Sequence, residues 1–369
     1  MRHNFVIKLA LCLVSVLVGS TLYLGSPKVA WADTIYVSGT ITANTSWTSG
    51  NLYVVQGDIT VPSGISLTIQ PGVIVKFQYR TRLVVQGSLV ARGTAANPIV
   101  FTSINDDAHG GDTDNDGTAT PPGTNDWGWI EFADSSNDAA SILEYCHILY
   151  GGYDNWDYTD FYHGAITLYN AAPTVTSCTF QYDYINGIEI PGGTKSASAS
   201  QNTETWHNTG VVYAVTGDLT IADGMRLVVN PGVTVKFKSN VRLVIQGSLE
   251  VRGTATRRVH ITSLKDDTIG GDTNGDGTAT SPSPGDWRHI WFSNPTAHSD
   301  LQHAVVRYGG NGGYMMRCEG AYLTAQHALL EYSSGDGLYI YHESDDPAVT
   351  VQYCTFRLNS GSGVHVVGP

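Results

Sequence analysis

Aspartates at alternate positions followed by glycine occur twice in this chain. The first set is Asp112, Asp114 and Asp116 before Gly117 and Thr118; the second is Asp272, Asn274 and Asp276 before Gly277 and Thr278. Side-chain oxygens at alternate positions, a glycine that permits a sharp turn and a main-chain carbonyl just beyond it make up the first half of a calcium loop. The expected chemistry is therefore Ca2+ binding by Asp112, Asp114, Asp116 and the Thr118 carbonyl, and again by Asp272, Asn274, Asp276 and the Thr278 carbonyl. Gly123 and Ser283 stand where a bidentate glutamate would close the shell. Asp126 and Asp286, or the doublets Asp106-Asp107 and Asp266-Asp267, are expected to complete it. The competing reading is a solvated turn in which Asp and Asn bond their own backbone. Three close carboxylates repel one another without a cation, which favours the ion. Its expected role is structural, holding down a long loop. The second loop, with one charge fewer, is expected to bind more weakly.

A second group of residues is aromatic and acidic. Tyr153, Trp156, Asp157, Tyr158 and Tyr162 fall within ten residues, with Asp154 and Asp160 among them. Rings that stack on apolar sugar faces beside acids that accept hydroxyl hydrogen bonds would recognise carbohydrate. Packing of the same rings onto a neighbouring sheet is the alternative. Glu144, Glu189 and the aspartates of this segment are the carboxylates available for sugar hydrolysis, but nothing in the spacing puts them on one face. No histidine or cysteine spacing suggests zinc. Lys76 and Lys236, with Arg82 and Arg242, are the basic residues that recur near strands, and a solvated flank is expected for them.

These loops hang on a duplicated frame. Residues 71–132 align with 231–292 at a constant offset of 160, and 35 of the 62 positions are identical. Outside that window Tyr150-Gly151-Gly152 meets Tyr308-Gly309-Gly310, and Cys178-Thr179-Phe180 meets Cys354-Thr355-Phe356. Within a repeat, Val54-Val55-Gln56-Gly57 returns as Val84-Val85-Gln86-Gly87. The segments between are short, β-branched and bounded by Pro-Gly, Gly-Ser or Asn-Pro turns, which predicts strands throughout. Short strands at one coil length predict a solenoid, because one coil cannot bury its inward row alone. A pair of β-sandwiches is the alternative fold.

The run Pro-Gly-Val-x-Val-Lys-Phe at 71–77 and 231–237, followed by Gln-Gly-Ser-Leu, Arg-Gly-Thr and Thr-Ser, resembles secreted bacterial right-handed parallel β-helix repeat proteins of the pectate-lyase-like superfamily. The resemblance implies an all-β, right-handed parallel β-helix built as two tandem duplicated modules. It is weak for function, since that superfamily holds lyases, hydrolases, adhesin passengers and members of no known activity. The polygalacturonase-type signatures are not found as a set.

The division read from the sequence is a signal peptide at 1–32, a first module at 33–193, a small and polar connector at 194–200, and a second module at 201–369. Arg2, His3 and Lys8 precede the apolar run 9–24, and Ala30-Trp31-Ala32 suits a signal peptidase, so export is expected, with no membrane association after cleavage. Acidic residues number 33 against 20 basic, a formal charge of −13, with no basic run. That excludes the phosphate-neutralising surface of a nucleic-acid binder. Exported cysteines are able to pair, yet Cys146 and Cys318 have no cysteine counterpart in the other repeat, so thiols are expected, with one bridge as the alternative. The expected function is a secreted or cell-surface, calcium-stabilised binding or structural module recognising carbohydrate or a surface component. A polysaccharide hydrolase or lyase and an adhesin-like array are the alternatives.

Overall fold

Alternation of β-branched and polar residues, broken every few positions by Gly, Pro or Asn, produces strands of three to ten residues and no helix among the described residues. The computed structural model describes residues 33–152, 163–197, 202–207, 210–343 and 347–368. Every recorded strand pairing is parallel, and the strands stack into a right-handed parallel β-helix. Its walls are one long sheet of 16 strands and three shorter sheets of five, seven and six.

In-register stacking turns sequence alternation into continuous inward rows. In the five-stranded sheet Trp47, Ile69, Ala91, Leu143 and Val175 lie one above the next, and all are buried. In the seven-stranded sheet Leu219, Leu243, Ile290, Met316 and Leu338 do the same. Each Val, Leu, Ile or Met in these rows contributes about 1.5–3 kcal/mol through burial. The coil corners recur too. Tyr145, Tyr150, Tyr182, His303, Tyr308, His327, Tyr332 and Tyr353 all bend the chain at positive φ between 48° and 65°. Corner rings then stack between coils, Tyr150 on Tyr182 and Tyr308 on Tyr332, each at 5.2 Å.

The repeated Tyr-Gly-Gly follows from close packing. A Cβ on Gly309 would lie 2.9 Å from both Met315 Cγ and the Trp287 ring, and one on Gly151 would lie 2.8 Å from Trp127. Both tryptophans are fully buried. Gly309→Ala is therefore expected to cost about 1–3 kcal/mol in chemical denaturation, the usual range for overpacking. A loss under about 0.5 kcal/mol, the level of an ordinary surface change, would mean that the tryptophan moves aside freely.

The repeats join out of step. The strand Ile188–Ile190 stacks between Ile166–Leu168, which follows the first aspartate loop, and Tyr213–Val215, which belongs to the row preceding the second. One sheet is thus continuous across the junction, and no strand pairing joins the five-stranded sheet of the first repeat to the shorter sheets of the second among the described residues. The connector expected at 194–200 begins inside a strand, Gly193–Lys195, paired with Leu219–Ile221. Lys195 is buried with Nζ 3.1 Å from Glu204, which also accepts the Trp206 indole N–H at 2.7 Å. Residues 198–200 lie outside the described set. A composition of Gly, Ser and Ala read as a free tether, whereas its lysine finds a buried partner ahead in the chain.

Candidate metal site

Each aspartate loop leaves the end of a strand, Ile99–Ser103 or Val259–Ser263, and folds back over the outer side of the long sheet. A buried lysine holds it there. Lys76 Nζ donates to the Gly111 carbonyl and Lys236 Nζ to the Gly271 carbonyl, both at 2.6 Å. These lysines, expected on a solvated flank, are fully buried because the loops lie across them. Burial pushes the Lys76 ammonium down and that of Lys236 down to about 8, against the pull of the aspartates above.

The base of each loop is pinned by Asp126 and Asp286. Asp126 accepts from Ser103 Oγ at 2.7 Å, Asn105 Nδ2 at 3.2 Å and Gly123 N–H at 3.0 Å. Asp286 accepts from Ser263 Oγ at 2.8 Å and faces Lys265 at 3.0 Å. Both therefore anchor the loop, and neither belongs to the loop's converging carboxylate cluster. Asp106 and Asp266 are also occupied, by Thr102 and His109 in one loop and by Thr262 and Arg307 in the other.

The carboxylates that do converge are Asp107, Asp112 and Asp114, and in the second loop Asp267, Asp272 and Asp276, with oxygens inside 4.8 Å of one another. The later member of each doublet thus joins the set. Asp116 stands apart from the first triad; its N–H donates to Asp112 Oδ1 at 3.1 Å, as that of Asp276 does to Asp272 at 3.2 Å. Asn274 Nδ2 donates to Asp276 at 2.7 Å. Thr118 and Thr278 are exposed on the loop.

Several oxygens here have no donor. Asp107 Oδ1 is buried without a hydrogen bond, and so are Oδ1 of Asp267, Asn274 and Asp276. An orphaned buried acceptor is costly, and a cation placed among such acceptors and like charges would offset that cost. Burial and the adjacent Asp112 or Asp272 push the carboxyls of Asp107 and Asp267 up. The donor set is all oxygen, which fits a hard ion such as Ca2+. The second triad is the more covered, with all three members half-buried, whereas Asp112 and Asp114 are exposed. The second loop also reaches the last coil of the first repeat: Asn186 donates through Nδ2 to Asp272 O at 3.0 Å and through N–H to Thr273 O at 2.8 Å.

Tyr153, Trp156, Asp157, Tyr158 and Tyr162 lie outside the described residues. At the edge of that segment His163 packs on Trp129 at 4.4 Å and bonds Glu189 through Nδ1 at 2.9 Å. Glu189 also accepts from Gly164 N–H, Thr167 Oγ1 and Thr216 Oγ1, so its lone pairs are committed. Glu144 faces Arg92 at 3.6 Å. Cys146, Cys178, Cys318 and Cys354 are free thiols. Sequence reasoning named the two lysines and Glu189 but not their burial: it set the lysines on a solvated flank and offered Glu189 for hydrolysis, although a charge inside an otherwise apolar strand was the available signal.

Stacked parallel sheets with loop-borne carboxylates define a parallel β-helix protein. Residues 39–199 match the model of the pectate-lyase like beta helix domain, which supports a carbohydrate-related or structural β-helix protein. The chain is also 40% identical over 62 residues to "Protein bark beetle" of Drosophila melanogaster, covering 17% of this chain and 2% of that much longer one. No solved structure matches.

Proposed function

We propose that this chain is a secreted, calcium-stabilised β-helix module with a binding or structural role at the cell exterior, directed at carbohydrate or another surface component. The observation that carries the calcium part is the pair of three-carboxylate clusters, the first holding one buried oxygen without a donor and the second holding two. Bound there, Ca2+ would supply the positive charge those oxygens lack and fix a long loop to the sheet. The protein's own part is to hold Asp107, Asp112 and Asp114, or Asp267, Asp272 and Asp276, at the required spacing. The family description supports the carbohydrate part. For a polysaccharide hydrolase or lyase, the two described glutamates that were candidates do not form a free pair: Glu189 is committed to its donors and Glu144 faces Arg92.

Calorimetric titration of Ca2+ is expected to show two ions per chain. Thermal unfolding should shift upward by the equivalent of about 2.7 kcal/mol for each site at a hundredfold excess over Kd. Asp112→Asn with Asp114→Asn should remove one ion, and Asp272→Asn with Asp276→Asn the other. No heat of binding, together with the same melting midpoint in calcium and in chelator, would overturn the metal reading.

A further inference from the structure

In the second repeat, the corner between the six-stranded sheet and the long sheet places one residue per coil at positive φ: His303 at 48°, His327 at 55° and Tyr353 at 55°. This throws their rings outward, where His303 stacks on His327 at 4.6 Å and His327 on Tyr353 at 5.1 Å. Beside the ladder runs a groove of about 390 Å³ that Arg258, Arg357 and Thr355 also line. No carboxylate lines it, in a chain with 33 acidic residues against 20 basic.

Arg258 is the telling residue. Its Nη2 donates to main-chain carbonyls, His327 O at 2.5 Å and Ala304 O at 3.5 Å, and it makes no ion pair with a carboxylate among the described residues. Its Nε is buried with no partner. The side chain is half-buried, and a guanidinium partly withdrawn from water without a counter-charge gains a charge-assisted contact when an anion enters the groove. Arg357, with an exposed side chain, is partly neutralised by Glu331 at 2.7 Å. The first repeat has nothing comparable: Asn97 and Pro98 replace Arg257 and Arg258, and Tyr145 and Ser177 occupy the corner.

We propose that this groove binds an oxyanion, a sulfate or phosphate ester carried on a saccharide. Arg258 supplies the charge, and the edges of the imidazole ladder supply further polar contacts. The saccharide part rests on the carbohydrate reading above; the anion part stands on the groove itself.

The test is calorimetry on the full chain with a sulfated oligosaccharide, its unsulfated parent, inorganic sulfate and inorganic phosphate. The sulfated sugar should bind at least about tenfold more tightly than its parent, and Arg258→Gln should weaken it by about tenfold or more, the scale of one charge-assisted contact. Arg258→Lys should keep part of the affinity, since the charge stays and the planar fork is lost. Arg357→Gln, at an exposed position, should cost several-fold and covers the case in which Arg258→Gln does not fold. The inorganic arms separate sulfate from phosphate selectivity. Equal binding of the unsulfated parent would overturn the anion site and leave the carbohydrate reading standing. Arg258-dependent binding of an inorganic anion with no sugar bound would keep the site and remove the saccharide. Binding unchanged in Arg258→Gln, or no binding of any probe, would overturn the proposal.

Discussion

Glu189→Ala is expected to lower the free energy of unfolding by about 3–5 kcal/mol, the range for removing one member of a buried charged network. Glu189 is almost fully buried and gathers four donors: His163 Nδ1, Gly164 N–H and Thr167 Oγ1, each at 2.9 Å from Oε2, and Thr216 Oγ1 at 2.6 Å from Oε1. Alanine strands the buried donors and leaves a cavity as well. The position sharpens the effect. Glu189 lies in the strand that carries the one continuous sheet across the repeat junction, paired with Thr167 on one side and Ala214 on the other. Glu189→Gln keeps the volume and most acceptor capacity and should lose about 1–3 kcal/mol. Urea unfolding of the two variants decides the matter. A loss below about 1 kcal/mol for alanine, the level of an exposed pair, would show that water reaches this carboxylate and that the junction does not depend on it.

Much of the frame was legible because it is local. The 160-residue offset, the β-branched runs and the Pro-Gly turns follow from residues adjacent in sequence, and a fixed coil length leaves a solenoid as the only way to bury every inward row. The aspartate loops were legible as oxygen-rich turns. Their carboxylate clusters were read only in part: the doublets holding Asp107 and Asp267 were candidates, but which doublet member converges with Asp112 or Asp272 depends on how the loop folds back, which spacing along the chain does not encode. Lys76 shows the same limit. Alternation correctly puts Val75 and Phe77 inside and Lys76 outside, and Lys76 is nonetheless buried by a loop some 35 residues further on. The out-of-step junction was hidden because the identities between repeats say which strands are equivalent, not which ones stack across the join.

His289 provides the largest expected pH effect. It is buried, its Nδ1 has no partner, and its ring lies 5.2 Å from that of Tyr314. Burial, then the neighbouring Arg288, Arg242 and Arg317, push its pKa down to about 4 from the ordinary 6.5. Above pH 6.5 the imidazole is neutral in both folded and unfolded chains, and nothing is lost. Between pH 6.5 and 4 the unfolded chain takes up a proton that the folded chain refuses, so stability falls across that window and levels off below it. The loss amounts to about 3 kcal/mol at the usual conversion of a pKa difference to free energy. The equivalent position in the first repeat is Trp129, also buried, so the fold accepts a non-titrating ring there. His289→Phe should therefore flatten the acid limb of the stability curve by about 3 kcal/mol relative to the parent chain. The aspartate clusters, whose Asp107 and Asp267 carboxyls are pushed up, titrate in the opposite sense in chelator, and they are common to both proteins. The difference curve thus isolates the histidine. Parallel acid limbs in the two proteins would mean that His289 protonates in the folded chain as freely as in the unfolded one, which its burial among three arginines opposes.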